Sequence, residues 1–135
     1  MSNLVIYTDG AYSPTRDCGG VGIVFIDKEQ ELRYCKSFNH TTNNQMEIAA
    51  VVIALQSVDP SKVSSIQIIS DSQYVIGCAS KGWKRKKNPK LWKQYDQAVQ
   101  RLAGIPISFT WVAGHNGDKF NELADQLAVF ASHQS

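Results

Sequence analysis

The sequence predicts an α/β domain in which a mixed five-stranded sheet carries helices on its faces. Two observations lead to this class. Residues 3–38 contain three runs rich in β-branched and aromatic side chains, separated by short polar turns, which is typical of an antiparallel meander. From residue 43 onward, segments with helical periodicity alternate with short apolar runs, an order that favours neighbouring parallel strands joined by helices.

The first half of the chain supplies the meander and a helix. We expect its three strands, which are antiparallel, at residues 3–9, 19–27 and 31–38, with the turn DKEQ between the second and the third. A helix is predicted over residues 43–57, capped by Thr42 or Asn43. Its apolar side chains fall on one stripe, with Glu47 just outside it, and they are Met46, Ala49, Ala50, Ile53 and Ala54.

The second half continues in a βαβα-like manner. An apolar strand at 64–70 runs into a short helix that begins at Asp71 or Ser72, and a right-handed crossover places this strand beside the first one, with both carboxyl ends on the same side. A helix over 90–103, a strand over 106–114 and a helix over 118–132 follow. The last helix is expected to bury one face, formed by Phe120, Leu123, Leu127 and Phe130.

Composition describes an ordinary globular protein. The 135 residues, 43% hydrophobic and 19% charged, are expected to form a single domain over residues 1–135. We find neither a signal-peptide pattern nor an apolar run long enough to cross a membrane, so we expect a monomeric cytoplasmic protein without a membrane partner. The three cysteines, widely spaced and without a CxxC pair, favour reduced thiols.

Four acidic residues stand at informative positions. Asp9 ends the first strand, Asp71 follows the strand predicted beside it, and Glu47 lies early in the helix between them. Asp125 lies in the last helix, where its neighbours at i−4 and i+4 are Asn121 and Val129. Because ligands of open α/β sheets bind at the carboxyl ends of the strands, these acids are candidates for one site.

Each acid also has an ordinary structural interpretation. Asp71 is a good helix N-cap, and Glu47 and Asp125 are residues that helices usually expose to solvent. Asp9 is harder to explain in this way, because an ionised carboxylate near a strand interior costs several kcal/mol unless a cation neutralises it. If the four converge, oxygen-only ligands favour Mg²⁺ or Mn²⁺ over Zn²⁺, and two such ions are suited to phosphodiester hydrolysis.

A basic segment separates the short helix from the next one. Seven of the 14 lysines and arginines fall within residues 81–93 without an acid among them, and they include Lys84, Arg85, Lys86 and Lys87. This pattern favours contact with a polyanion, although a solvated charged loop is the alternative. Trp83 lies within the same segment and either stacks on a ligand or packs on the protein.

With these residues in view, the chain resembles the type 1 ribonuclease H family over residues 3–132. The matching segments are YTDGA (7–11), TNNQMEI (42–48), SDSQYV (70–75), GW (82–83), LW (91–92) and GHNGDKFNELAD (114–125). The resemblance implies a ribonuclease H-like fold and a hydrolase: an endonuclease that cuts the RNA strand of RNA/DNA hybrids, depends on magnesium or manganese, and leaves 5′-phosphate and 3′-hydroxyl ends.

The resemblance also assigns roles to single residues. It implies that Asp9, Glu47, Asp71 and Asp125 are catalytic and bind two metal ions when substrate is present, and that His115 assists proton transfer or product release. It implies nucleic-acid contacts by Asn43, Asn44 and Gln73 and a phosphate contact by Thr42, and we expect the basic segment to contact the backbone, chiefly of the DNA strand. For Asn43, capping of the helix remains an alternative or an additional role.

The sequence departs from the family pattern in two places. The segment between DSQYV and LW spans only residues 76–90, so the basic handle of larger members is shortened. The loop after Asp9, GAYSPTRDCGG, lacks the asparagine and the proline-glycine pair that many members have. Because the first predicted strand starts at residue 3, we also expect no separate N-terminal hybrid-binding domain such as some relatives have.

Two other functions are compatible with the same fold. A binding module that keeps the fold without turnover would not need four mutually repelling acids. A resolvase-like or integrase-like nuclease acting on DNA would not be expected to combine NNQME with DSQYV. We therefore favour the hybrid nuclease, and comparison of hybrid, duplex DNA and duplex RNA as substrates separates the three.

Overall fold

The computed structural model describes residues 2–134, and this part of the chain forms one mixed sheet with helices on both faces. Its strands are β1 (Ser2–Ser13), β2 (Cys18–Asp27), β3 (Gln30–Asn39), β4 (Val63–Ser70) and β5 (Ile107–Trp111). Its helices are α1 (Asn43–Gln56), α2 (Gln73–Ser80), α3 (Pro89–Arg101) and α4 (Lys119–Ala131). The predicted fold class is confirmed, and the two helices expected between the fourth and fifth strands are present as α2 and α3.

The sheet has the order β3-β2-β1-β4-β5. The strand β1 is antiparallel to β2 and parallel to β4, and β5 is parallel to β4. The β1–β4 ladder ends at the pair Tyr7–Ile69, whereas β1 continues along β2 as far as Ser13. Two residues beyond the last parallel pair, Asp9 and Asp71 therefore stand level at the carboxyl edge of the two central strands.

The helix α1 is buried around most of its circumference rather than along one stripe. It packs against β1 and β2 and also contacts α3. Ile48, Val51 and Leu55, which lie outside the predicted stripe, are at most 1% exposed, whereas Ile53 is only partly buried. The single-stripe prediction was wrong because the helix lies between the sheet and another helix.

The helix α4 buries a face of small residues, so the predicted face was wrong. Its buried positions are Asn121, Ala124, Ala128 and Ala131, whereas Phe130 is 58% exposed. The cause lies in β2, where a Cβ atom at Gly22 would stand 2.1 Å from the Ala124 carbonyl oxygen and one at Gly20 would stand 2.3 Å from that of Ala128. The helix backbone thus rests directly on the strand, and large side chains do not fit between them.

Three smaller expectations have clear outcomes. The strand β5 ends at Trp111 instead of residue 114, because the chain turns away into the loop that precedes α4. Cys18 and Cys78 are buried, Cys35 is partly buried, and all three are unpaired thiols, as expected. No helix between residues 2 and 134 is both long enough and apolar enough to span a bilayer.

Candidate active site

Asp9 is a buried acid on the face of the sheet that α4 covers. It is 4% exposed, and the Gly10 backbone N–H donates a hydrogen bond of 2.9 Å to its Oδ1. In the β1–β2 ladder Asp9 is paired with Gly22, which lies under α4. Directly opposed residues of two strands project to the same face, so the Asp9 side chain faces the helix that carries Asp125.

Glu47 reaches the same edge from the second turn of α1. It is 8% exposed, so the interpretation as a solvated helix residue was wrong. The backbone of β1 at Gly10 packs against the backbone at Met46 and Glu47, which holds this turn beside Asp9. Among the described residues, Glu47 Oε1 has no hydrogen-bond partner although it is buried.

Asp71 directly follows β4 and does not cap α2. Ser72 is the N-cap, since its hydroxyl accepts a hydrogen bond of 3.2 Å from the Val75 N–H. The Trp111 indole N–H donates to the Asp71 backbone oxygen at 3.1 Å, which ties the end of β5 to this residue. The Asp71 carboxylate is thus left available at the strand edge while its backbone is held.

These three acids form a compact cluster whose oxygen atoms, one from each, all lie within 4.8 Å of one another. Burial, followed by the charges of Glu47 and Asp71, raises the pKa of Asp9 to about 10. Burial, followed by the charge of Asp71, raises the pKa of Glu47 to about 8, and burial also raises the pKa of Asp71. All three shifts show that negative charge is costly here without a neutralising cation.

The fourth acid and the predicted histidine approach from the last part of the chain. Asp125 on α4 is half-buried, and its charge and a hydrogen bond with Asp9 contribute to the raised pKa of Asp9. His115 lies in the exposed loop between β5 and α4, near enough to Asp71 that a protonated imidazole would offset part of the rise that burial causes in the pKa of that carboxyl. The Gly114 backbone lies against Asp71, because a Cβ atom there would be 2.9 Å from Asp71 Oδ2.

Asn121 is a site residue that the sequence interpretation did not select. It is 1% exposed, it lies close enough to Asp71 to offset part of the rise that burial causes in the pKa of that carboxyl, and its Oδ1 atom has no partner among the described residues. The available signal was its spacing of four residues from Asp125, which places both side chains on one face of α4. A polar side chain at a buried helix position next to an acid cluster belongs to the site.

The predicted nucleic-acid contacts lie on exposed ends of helices near the cluster. Thr42, Asn43 and Asn44 are exposed at the start of α1, and Gln73 is exposed at the start of α2. Thr42 is the N-cap of α1, where its hydroxyl oxygen accepts from the Gln45 N–H at 3.1 Å. Because the oxygen accepts in this bond, the hydroxyl hydrogen is still free to donate to a phosphate oxygen.

The basic segment divides into two kinds of residue. Lys84, Lys86 and Lys87 are exposed and line, together with Asn44 and Tyr74, a surface hollow of about 240 Å³. Arg85 is partly buried and has internal partners, chiefly Asp96. The structure therefore brings three predicted lysines next to a predicted amide contact and sets Arg85 apart from them.

The acid cluster fits divalent metal ions of the hard, oxygen-preferring kind. Its donors are carboxylate oxygens, one of them, Glu47 Oε1, buried and without a partner among the described residues. The tight set contains neither a cysteine nor a histidine. Such donors suit Mg²⁺ or Mn²⁺, and the raised pKa values show that a cation would relieve strong repulsion.

Fold and site together define a ribonuclease H-like α/β domain with an acidic cluster at the carboxyl edge of its central strands. The RNase H family model matches residues 1–133, so the chain belongs to the RNase H family. The proteins named ribonuclease H from Bradyrhizobium diazoefficiens and Rippkaea orientalis are 41% and 35% identical to it, over 93% and 98% of this chain and 86% of each relative.

Two solved structures have the same architecture. The N-terminal RNase H domain of a Mycobacterium tuberculosis protein, fused to maltose-binding protein, superposes with a TM-score of 0.81 at 25% identity, covering 98% of this chain and 94% of that one. RNase H1 from Halobacterium salinarum superposes with a TM-score of 0.78 at 27% identity, covering 96% of both chains.

Proposed function

We propose that this protein is an endoribonuclease that hydrolyses the RNA strand of RNA/DNA hybrids by a two-metal-ion mechanism, giving 5′-phosphate and 3′-hydroxyl ends. The observation that carries this proposal is the convergence of Asp9, Glu47 and Asp71 within 4.8 Å, with Asp125 beside them. Membership of the RNase H family and the names of its relatives support the activity.

The four carboxylates would hold the metal ions. Asp9 and Asp71, which stand level at the ends of β1 and β4, are placed for the central positions, and Glu47 and Asp125 complete the set from α1 and α4. Bound Mg²⁺ or Mn²⁺ supplies activation of the attacking water and stabilisation of the leaving oxygen. The chain itself fixes the geometry, because Asp9 and Glu47 are attached to backbones in direct contact.

His115 and Asn121 act on the edge of the cluster at Asp71. The exposed imidazole of His115 can exchange a proton with solvent and with a departing group, which suits a role in proton transfer or product release. The buried Asn121 amide lies beside the Asp71 carboxyl and is suited to orient it. Both residues belong to the segment at the start of α4, so the loop and the helix place them together.

Recognition of the hybrid is assigned to the exposed polar side chains around the cluster. Amides of Asn43, Asn44 and Gln73 suit base edges and ribose hydroxyls, and the latter distinguish RNA from DNA. Thr42 and the exposed lysines suit phosphate oxygens, a contact that is independent of sequence. Action as a monomer in the cytoplasm stays a prediction.

The decisive experiment compares three duplexes of one sequence: RNA/DNA hybrid, duplex DNA and duplex RNA. We expect cleavage of the RNA strand of the hybrid alone, only with Mg²⁺ or Mn²⁺, and none by Asp9→Asn. Equal rates on duplex DNA would exclude the ribose contacts and favour a DNA nuclease. Hybrid binding without cleavage under any metal would identify a binding module, and unchanged cleavage by Asp9→Asn would remove the carboxylate mechanism.

A further inference from the structure

Arg85 differs from the lysines on either side of it. Its side chain is 30% exposed, and its Nη1 donates to both Asp96 carboxylate oxygens, at 2.8 and 3.0 Å. Its Nε donates to the Cys78 backbone oxygen at 3.3 Å. The guanidinium also lies over two aromatic rings of α3, 4.6 Å from the Trp92 centroid and 5.3 Å from that of Tyr95.

This arginine thus joins the basic segment to two helices. The contact with Cys78 attaches it to α2, and the contacts with Trp92, Tyr95 and Asp96 attach it to α3. A planar guanidinium stacks on aromatic faces and donates along several directions at once, whereas a lysine ammonium cannot do both. To donate Nε or Nη1 to a nucleic-acid phosphate, Arg85 would have to give up Cys78 or Asp96.

Three further contacts hold the same segment against α2. A Cβ atom at Gly77 would stand 2.1 Å from the Trp83 ring, so this indole packs directly on the helix backbone. The Trp83 backbone N–H donates to the Gly77 backbone oxygen at 3.2 Å. The Cys78 thiol donates to the Lys84 carbonyl oxygen at 3.9 Å. Residues 83–85 are therefore attached along their length while the lysine side chains remain exposed.

We propose that Arg85 is a positioning residue: it fixes the basic segment between α2 and α3 so that Lys84, Lys86 and Lys87 face the nucleic acid as a preformed cationic surface, and it does not itself contact the backbone. The inference rests on the proposed function. A surface that is ordered before binding avoids the entropic cost of ordering its side chains in the complex.

The test uses Asp96→Asn and Arg85→Lys, with Asp27→Asn at the far end of the sheet as a matched charge control. Binding to an RNA/DNA hybrid is measured in chelator by fluorescence anisotropy at several salt concentrations. Both variants should bind about threefold to tenfold more weakly than wild type. In them the lysine side chains are no longer ordered before binding, so their ordering in the complex reduces the affinity. The salt slope should equal that of wild type, because no phosphate contact is lost.

The direction in which Asp96→Asn changes hybrid affinity distinguishes the proposal from a direct phosphate contact by Arg85. It removes a negative charge near the binding surface and releases Arg85, so a phosphate-contacting arginine would make it bind more tightly than wild type and than Asp27→Asn. Tighter binding of Asp96→Asn than of wild type and of Asp27→Asn overturns the proposal. Failure of wild type to bind any hybrid would instead overturn the proposed function.

A second readout needs no nucleic acid. Limited trypsin digestion of the folded protein, followed by mass spectrometry, should show faster cleavage after Lys84, Lys86 and Lys87 in Asp96→Asn and Arg85→Lys than in wild type or Asp27→Asn. Thermal midpoints of each variant separate this local release from global unfolding. Cleavage at the wild-type rate would show that Arg85 does not hold the segment and would overturn the proposal.

Discussion

Gly10 of β1 and Glu47 of α1 meet backbone to backbone: a Cβ atom at position 10 would lie 2.4 Å from the Glu47 nitrogen. Substitution Gly10→Ala must therefore push the second turn of α1 away from Asp9. We expect a loss of stability of about 1–3 kcal/mol, as is usual for overpacking. Hybrid cleavage should fall by more than tenfold, measured as kcat under saturating substrate.

Gly104→Ala is the control for this prediction. Gly104 has a φ of 90°, and a Cβ atom at this position would have no neighbour within 4 Å, so alanine there strains the backbone without displacing another group. This variant should lose stability in urea denaturation yet retain its cleavage rate. Equal loss of activity in both variants would show that the effect of Gly10→Ala is not specific to the carboxylate spacing.

Asp9→Asn should stabilise the metal-free protein while it abolishes cleavage. The pKa of Asp9 is raised from 3.8 to about 10 in the folded state, so the folded protein binds this proton more tightly than the unfolded chain does. The contribution of Asp9 to the free energy of unfolding is therefore fully present below about pH 4 and is lost as the pH rises toward 10. In chelator we expect the variant to be more stable than wild type, by an amount that grows from pH 5 to pH 7 to pH 9, determined by urea denaturation at each pH.

Mg²⁺ should raise the thermal midpoint of wild type, and more at pH 8 than at pH 5.5. The ion neutralises the repulsion among Asp9, Glu47 and Asp71, and at the lower pH it competes with protons for carboxyl groups whose pKa values are raised. Differential scanning fluorimetry across a Mg²⁺ titration measures the effect. An identical increase in Asp71→Asn would place the ion elsewhere.

His115→Ala should lower kcat by about tenfold to a hundredfold with little change in KM, the usual range for loss of a proton-transfer group. The reason is that His115 lies in an exposed loop beside Asp71, not among the residues proposed to hold the duplex. Steady-state cleavage of a short hybrid gives both constants. His133→Ala, at the exposed end of the chain beyond α4, is the matched control and should cleave at the wild-type rate.

Replacement of Lys84, Lys86 and Lys87 by glutamine should flatten the salt dependence of hybrid binding by about two to three units, since each phosphate contact contributes about 0.7–0.9. Single-turnover cleavage at saturating protein should change little, because these side chains line a hollow that contains none of the clustered acids. The same change at Lys28, Lys36 and Lys62 keeps the net charge equal. A similar slope in both triple variants would contradict a local contact surface.

The antiparallel meander, the place of β4 beside β1 and the approach of Asp71 to Asp9 could be predicted from the sequence because they depend on local signals. Alternation and periodicity define the elements, and the crossover rule places Asp71 beside Asp9. The burial of Glu47 could not be predicted in this way. It depends on the close approach of two backbones that are far apart in the sequence, that of β1 at Gly10 and that of α1 at Glu47.

The prediction of the buried face of α4 was wrong for a related physical reason. Its large apolar residues at Phe120, Leu123, Leu127 and Phe130 give a clear periodic signal, yet the backbone of β2 at Gly20 and Gly22 lies directly against the backbone of α4 at Ala124 and Ala128. Hydrophobicity scales rank leucine and phenylalanine above alanine and do not include the shape of the partner surface. The contacts of Arg85 with Trp92 and Tyr95 could not be predicted for the same reason, because charge alone does not distinguish an arginine among aromatic rings from its exposed neighbours.

The direct seating of α4 on β2 has a consequence for how the protein fails on heating. With the Ala124 and Ala128 carbonyls against glycines, there is no layer of side chains that can slide or repack while the helix stays in place. Asp125 therefore cannot drift from Asp9 by small steps. Enzymatic capacity and cooperative folding should disappear at one temperature, with no compact but inert species in between.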